Sequence, residues 1–122
     1  MSGATTMAAG GLIAASTVKG TNVYNPAGES LGTIDDIMID KVTGRTIYAV
    51  MAFGGILGMG ESYHPLPWAT LKYNHQQGGY VVNLDKAKLE GAPYYARNTP
   101  FEWTADYSRK VDGFYKTPGY WN

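Results

Sequence analysis

Between Asn22 and Leu84 the apolar positions fall in short, strand-sized runs separated by glycine, proline, asparagine and aspartate, which is the punctuation of an all-β domain. Asn22–Tyr24 leads into Asn25-Pro26-Ala27-Gly28, where proline presets φ at the second turn position and Gly28 closes the turn. The next run carries Leu31, Ile34, Ile37 and Ile39. Its three-residue step from Ile34 to Ile37 breaks a period of two, and a bulge near Asp35 and Asp36 is expected to restore the facing. Asp40–Arg45, with Thr43-Gly44 inside it, predicts a second turn. Thr46–Phe53 is then apolar on both parities, Ile47, Ala49, Met51 and Phe53 against Tyr48, Val50 and Ala52, so a central strand covered on both faces is expected.

Ser62–Trp68 carries Pro65 and Pro67 two residues apart. Both therefore lack an N–H on the same side of the strand, and that side is expected to be an unpaired edge. Trp68-Ala69-Thr70-Leu71 predicts a tight helical turn, with the Trp68 ring plugging one end of the barrel as a structural residue. Leu71–Tyr73 and Tyr80–Leu84 flank the polar loop Asn74-His75-Gln76-Gln77-Gly78-Gly79 and predict a third hairpin. Asp85 is placed to cap a short turn through Lys86–Glu90. Five or six short, meandering strands of this kind suggest a small barrel.

Several of these segments carry a resemblance. Val23-Tyr24-Asn25-Pro26-Ala27-Gly28-Glu29-Ser30-Leu31-Gly32-Thr33-Ile34-Asp35-Asp36, then Phe53-Gly54-Gly55-Ile56-Leu57-Gly58-Met59-Gly60-Glu61, then Leu66-Pro67-Trp68, and finally Leu89-Glu90-Gly91-Ala92-Pro93 resemble a PRC-barrel domain. The likeness spans Leu12 to Pro93. This family takes its name from the cytoplasmic domain of the photosynthetic reaction-centre H subunit, and a related domain ends the ribosome maturation factor. The resemblance implies a small six-stranded β-barrel with short helical turns, used for protein contacts and assembly without known catalysis in stand-alone members. Within it, Gly28, Gly32, Gly54 and Gly55 are expected to be structural, as are Pro65, Pro67 and Trp68. The expected organisation is a flexible leader over 1–11, the barrel over 12–93 and an aromatic extension over 94–122.

The extension changes the picture. Nine of the 16 aromatic residues lie between Gly91 and the last residue: Tyr94, Tyr95, Phe101, Trp103, Tyr107, Phe114, Tyr115, Tyr120 and Trp121. Thr104 predicts the cap of a short helix through Tyr115, in which Tyr107, Val111 and Phe114 or Tyr115 form one apolar stripe. Tyr94–Trp103 is expected to run extended across the barrel, with the helix docked by Tyr107 and Val111 on its own barrel or on a partner subunit.

Composition narrows the chemistry. Ten basic and ten acidic residues balance to a net charge of zero, which disfavours nonspecific nucleic-acid or anionic-membrane binding. With no cysteine, disulfides, thiolate metal sites and thiol catalysis are excluded. No apolar run reaches the roughly 20 residues a membrane-spanning helix needs, and the uncharged Met1–Val18 segment lacks the basic start of a signal peptide. The expected location is the cytoplasm, with peripheral membrane or periplasmic sites left open. The glycine-rich Phe53–Gly60 stretch lacks the lysine and helix start of a phosphate loop. It reads instead as a hairpin whose Ile56, Leu57 and Met59 either fold over the barrel mouth or stand exposed for binding. Asp35, Asp36 and Asp40, with Glu29 upstream, are the one acidic cluster, and read as solvated carboxylates flanking turns. His64 reads as a packed or hydrogen-bonded histidine and His75 as a loop residue. No nucleophile-elbow sequence is present.

No catalytic residue, cofactor or metal is therefore expected. The sequence predicts a non-enzymatic interaction or assembly module, self-associating as a homodimer. Its candidate surface comprises Ile56, Leu57, Met59, Tyr94, Tyr95, Trp103, Tyr107, Tyr120 and Trp121. An RNA-linked assembly factor and a small-ligand binder at the barrel mouth are the alternatives.

Overall fold

A computed structural model describes residues 11–54, 61–97 and 99–118 of the 122-residue chain. Among the described residues the strands are β1 (Asn22–Tyr24), β2 (Ser30–Ile39), β3 (Thr46–Gly54), β4 (Glu61–Pro67), β5 (Leu71–Asn74), β6 (Gly79–Val82) and β7 (Tyr95–Ala96). The helices are α1 (Ala15–Val18), α2 (Lys86–Glu90) and α3 (Ala105–Tyr115), and a 3-10 turn at Trp68–Thr70 joins β4 to β5. The strands form a single open sheet in the order β5-β6-β1-β2-β3-β4-β7.

The predicted turns form by the expected chemistry. Gly28 takes φ +90°, a conformation only glycine adopts cheaply, and its N–H donates to the Asn25 carbonyl. The Asp40 carboxylate accepts from the N–H groups of Val42 and Thr43. Strand β2 is bulged twice, against β1 beside Tyr24 and against β3 between Ile34 and Asp36, and β3 carries a third extra residue, Ile47, opposite the Met38–Ile39 step. Repeated bulges bend a strand, and this bending rolls the sheet over one core. That core contains Val23, Leu31, Ile34, Met51, Leu66, Tyr80, Val82 and Leu89, all nearly inaccessible to water. Burial of four successive residues, Tyr48 to Met51, shows β3 covered on both faces, as its pattern predicts.

Two features differ from expectation. First, the strands do not all meander: β2, β3 and β4 do, but β6 returns to lie parallel to β1, with Val23 opposite Tyr80. Close approach of these strands depends on Gly79, where a Cβ would sit 2.5 Å from the Asn22 carbonyl oxygen. Gly32 plays the same part between β2 and β3, since a Cβ there would collide with the Ala52 carbonyl. Second, the described residues form seven strands instead of six, and their ladder leaves β5 and β7 as edges. The seventh comes from the extension, and it pairs only with Ser62 and Tyr63, stopping before Pro65 and Pro67, which have no N–H to offer. Helix α1, at the end of the uncharged Met1–Val18 segment and within the span assigned to the barrel, packs on β2 and buries Val18 in the core.

Candidate interaction surface

The extension folds back on its own barrel. Asp85 caps α2 by accepting from the Lys88 N–H, and Leu89 is buried beneath it. The chain then passes through Pro93 and Tyr94 to β7. Helix α3 starts at Thr104, whose hydroxyl accepts from the Tyr107 N–H at 3.1 Å, and it packs over β4. Its buried face consists of Ser108, Val111 and Asp112, with Tyr107 and Tyr115 half-buried beside them. The His64–Pro67 stretch is consequently buried, so the proline edge expected to be open is unpaired but covered.

Two polar contacts fix this docking. The Tyr48 hydroxyl lies 3.0 Å from both Asp112 carboxylate oxygens, sharing one proton between them across the helix–sheet seam. Trp103 Nε1–H donates to Ser108 Oγ at 2.7 Å. Aromatic rings continue the seam. Trp103 packs on Tyr48 and on the edge of Tyr107, Tyr107 packs on Phe101, and Phe101 stacks on Tyr95 with centroids 4.1 Å apart and planes 5° from parallel. Burial raises the Tyr107 and Tyr115 phenols' pKa, and neighbouring tyrosines add to the rise.

Of the candidate residues, Tyr95, Trp103 and Tyr107 are thus brought together in this ring array. Tyr94 stands apart, 56% exposed, with its ring stacked on His64 at 5.5 Å. It lines a shallow groove of about 480 Å³ between the Gly91–Tyr94 segment and α3, together with Pro93, Tyr107, Lys110 and Phe114. Ile56, Leu57, Met59, Gly55, Tyr120 and Trp121 lie outside the described residues. Trp68 is half-buried instead of enclosed: its ring meets the edge of Tyr80, and it also lines a surface cleft with Arg45, Ile47 and Pro67. The plug expected from its size is therefore only partial, because the ring sits at the rim of the core.

Ser62 and His64 are the nearest approach to a catalytic pair, with Oγ and Nε2 3.2 Å apart. Ser62 Oγ also lies 3.3 Å from the Phe53 carbonyl, to which its hydroxyl can donate, and among the described residues no carboxylate bonds the His64 ring to orient it as a triad would require. Burial pushes the His64 imidazole down to about 4, and its buried Nδ1 has no hydrogen-bond partner among the described residues. The acidic cluster is dispersed. Glu29 bonds Asn25 within the first turn, Asp40 holds the second, and only Asp35 and Asp36 remain side by side. Among the described residues no group of three His, Asp or Glu is placed to hold a metal ion, and no helix is long and apolar enough to cross a membrane.

The groove and the buried Ser108–Asp112 contacts escaped the sequence reading. Ser108, Val111, Asp112 and Tyr115 follow the i, i+3, i+4, i+7 spacing of a buried helix face; the predicted stripe contains Val111 and Tyr115 but not the polar Ser108 and Asp112.

A rolled, mostly antiparallel sheet with bulged β2, a glycine-spaced parallel β1–β6 contact and a short capped helix after β6 is a barrel-like all-β architecture. Residues 10–89 match the family model of the PRC-barrel domain, and the chain belongs to that family. Comparison with curated proteins finds no match. Residues 91–118, which build the groove and the aromatic seam, follow the matched segment.

Proposed function

We propose that this protein is a non-catalytic interaction module that associates with a second copy of itself through the groove beside α3. The observation that carries this reading is the exposure of Tyr94 (56%) and Phe114 (38%) on opposite walls of one groove, in a segment otherwise folded tightly onto the barrel. Large aromatic groups left in water on a small domain are favourable to cover, at roughly 25 cal/mol per Å² of apolar area removed from water. PRC-barrel domains are in general interaction modules without catalytic activity, which supports this reading. A net charge of zero speaks against RNA as the partner. Sedimentation velocity at micromolar concentration is expected to give twice the 13.2 kDa chain mass, and Tyr94→Ser with Phe114→Ser is expected to return it to a folded monomer. A wild-type protein that sediments only as a monomer would overturn the self-association.

A further inference from the structure

The outer face of the sheet beside the groove carries a second, chemically distinct surface. Alternation along a regular strand would send Asp35 and Asp36 to opposite sides. The bulge prevents this. Ile34 pairs with Met51 and Asp36 with Val50, leaving Asp35 as the extra residue, and both carboxylates are exposed. Thr33, Ala52, Tyr63 and Tyr95 lie opposite one another in a single row across β2, β3, β4 and β7. Asp36 shares the face of that row, because Val50 and Ala52 are two residues apart on β3. Tyr63 and Tyr95 are in ring contact at 5.4 Å, and Phe101, 39% exposed, lies flat on Tyr95. Burial raises the Tyr95 phenol's pKa, and Asp35, Tyr63 and Asp36 add to the rise by their charges, so both carboxylates lie within electrostatic reach of that ring. Ala52, with one methyl group, leaves the row low between Thr33 and Tyr63.

We propose that this face of the sheet docks an arginine side chain of a partner protein, with the guanidinium plane against the Tyr95–Phe101 stack and its N–H fork on Asp35 and Asp36. The charge complementarity is direct: two carboxylates and the negative faces of aromatic rings attract the same cation. Guanidinium fits better than ammonium because it is planar, weakly hydrated and bidentate toward carboxylates. The inference rests on the reading of the domain as an interaction module and names the chemistry of a partner.

The test is an NMR titration of the full chain with the capped peptide Gly-Arg-Ser-Arg-Gly and with its lysine and citrulline counterparts. The arginine peptide is expected to shift the amides of Thr33–Asp36, Ala52, Tyr63 and Tyr95. The lysine peptide should bind at least about three-fold more weakly, and the uncharged citrulline peptide should leave the spectrum unchanged. Asp35→Asn with Asp36→Asn is expected to weaken arginine binding about ten-fold while preserving the fold, since an asparagine oxygen can still accept from the Ile37 N–H as Asp36 Oδ1 does. Phe101→Ala should weaken it as well. Equal shifts from citrulline and arginine, equal binding by lysine, undiminished binding by the double variant, or shifts confined to another surface would each overturn the assignment. Sedimentation of the same samples separates the two readings. A lost arginine site with the dimer intact removes this inference alone, and a monomer that still binds arginine removes the groove alone.

Discussion

His64 shows how one buried residue couples the fold to pH. Its ring sits between the edge of Phe53 and the face of Tyr94, with Nδ1 unpartnered among the described residues, and burial holds its folded-state pKa at about 4 against an ordinary 6.5. Between those values the unfolded chain binds the proton and the folded chain does not, so stability is full above about 6.5 and falls as the pH drops toward 4. At about 1.4 kcal/mol per pKa unit the loss has an upper limit of about 3.5 kcal/mol. Urea midpoints measured across this range should decline accordingly, and His64→Phe, which fills the same slot without a proton, should flatten the decline. Tyr48 offers a second test at this scale. Tyr48→Phe removes the hydroxyl that serves both Asp112 oxygens and should cost about 2 kcal/mol, the scale of a hydrogen bond to a charged group. A variant as stable as wild type would show that Asp112 does not depend on Tyr48.

At the scale of elements, legibility tracked whether the signal was local. The turns at Asn25–Gly28 and Asp40–Arg45, the caps Asp85 and Thr104, and the two-sided β3 could be read from the sequence because each is set by residues adjacent in the chain. The parallel β1–β6 pair could not, since nothing near Val23 announces Tyr80 as its neighbour. Gly79 marks the contact only once the two backbones are seen together, and Gly79→Ala tests it. A methyl group there meets the Asn22 carbonyl and the Tyr24 ring, so the variant should lose about 3 kcal/mol or fail to fold; a stable variant would mean the strands can separate without cost. The β2 bulge could be inferred from the Ile34–Ile37 step, but its consequence, both carboxylates on one face, depends on which residue the partner strand skips. Helix α3 was legible in its extent and in Val111 at the centre of its buried face, but not in Ser108 and Asp112, which occupy positions that a hydrophobic pattern assigns to apolar residues.

At the scale of the whole molecule, the family's barrel carries the core, and the proposed partner contact falls on the extension. Covering of the proline edge by α3 shifts the candidate interface from that edge to the groove walled by Tyr94 and Phe114. Removal of the chain after Pro93 would strip α3 from Tyr48, Val50 and Pro65, all buried in the full chain, and is expected to lower both stability and solubility. A truncated barrel with unchanged melting temperature would show the extension to be a passenger. The association itself is tested most directly by sedimentation velocity on the intact chain and on Tyr94→Ser/Phe114→Ser across micromolar concentrations. The account predicts a dimer that the double substitution converts to a folded monomer, and a wild-type chain that remains a 13.2 kDa monomer throughout would contradict it.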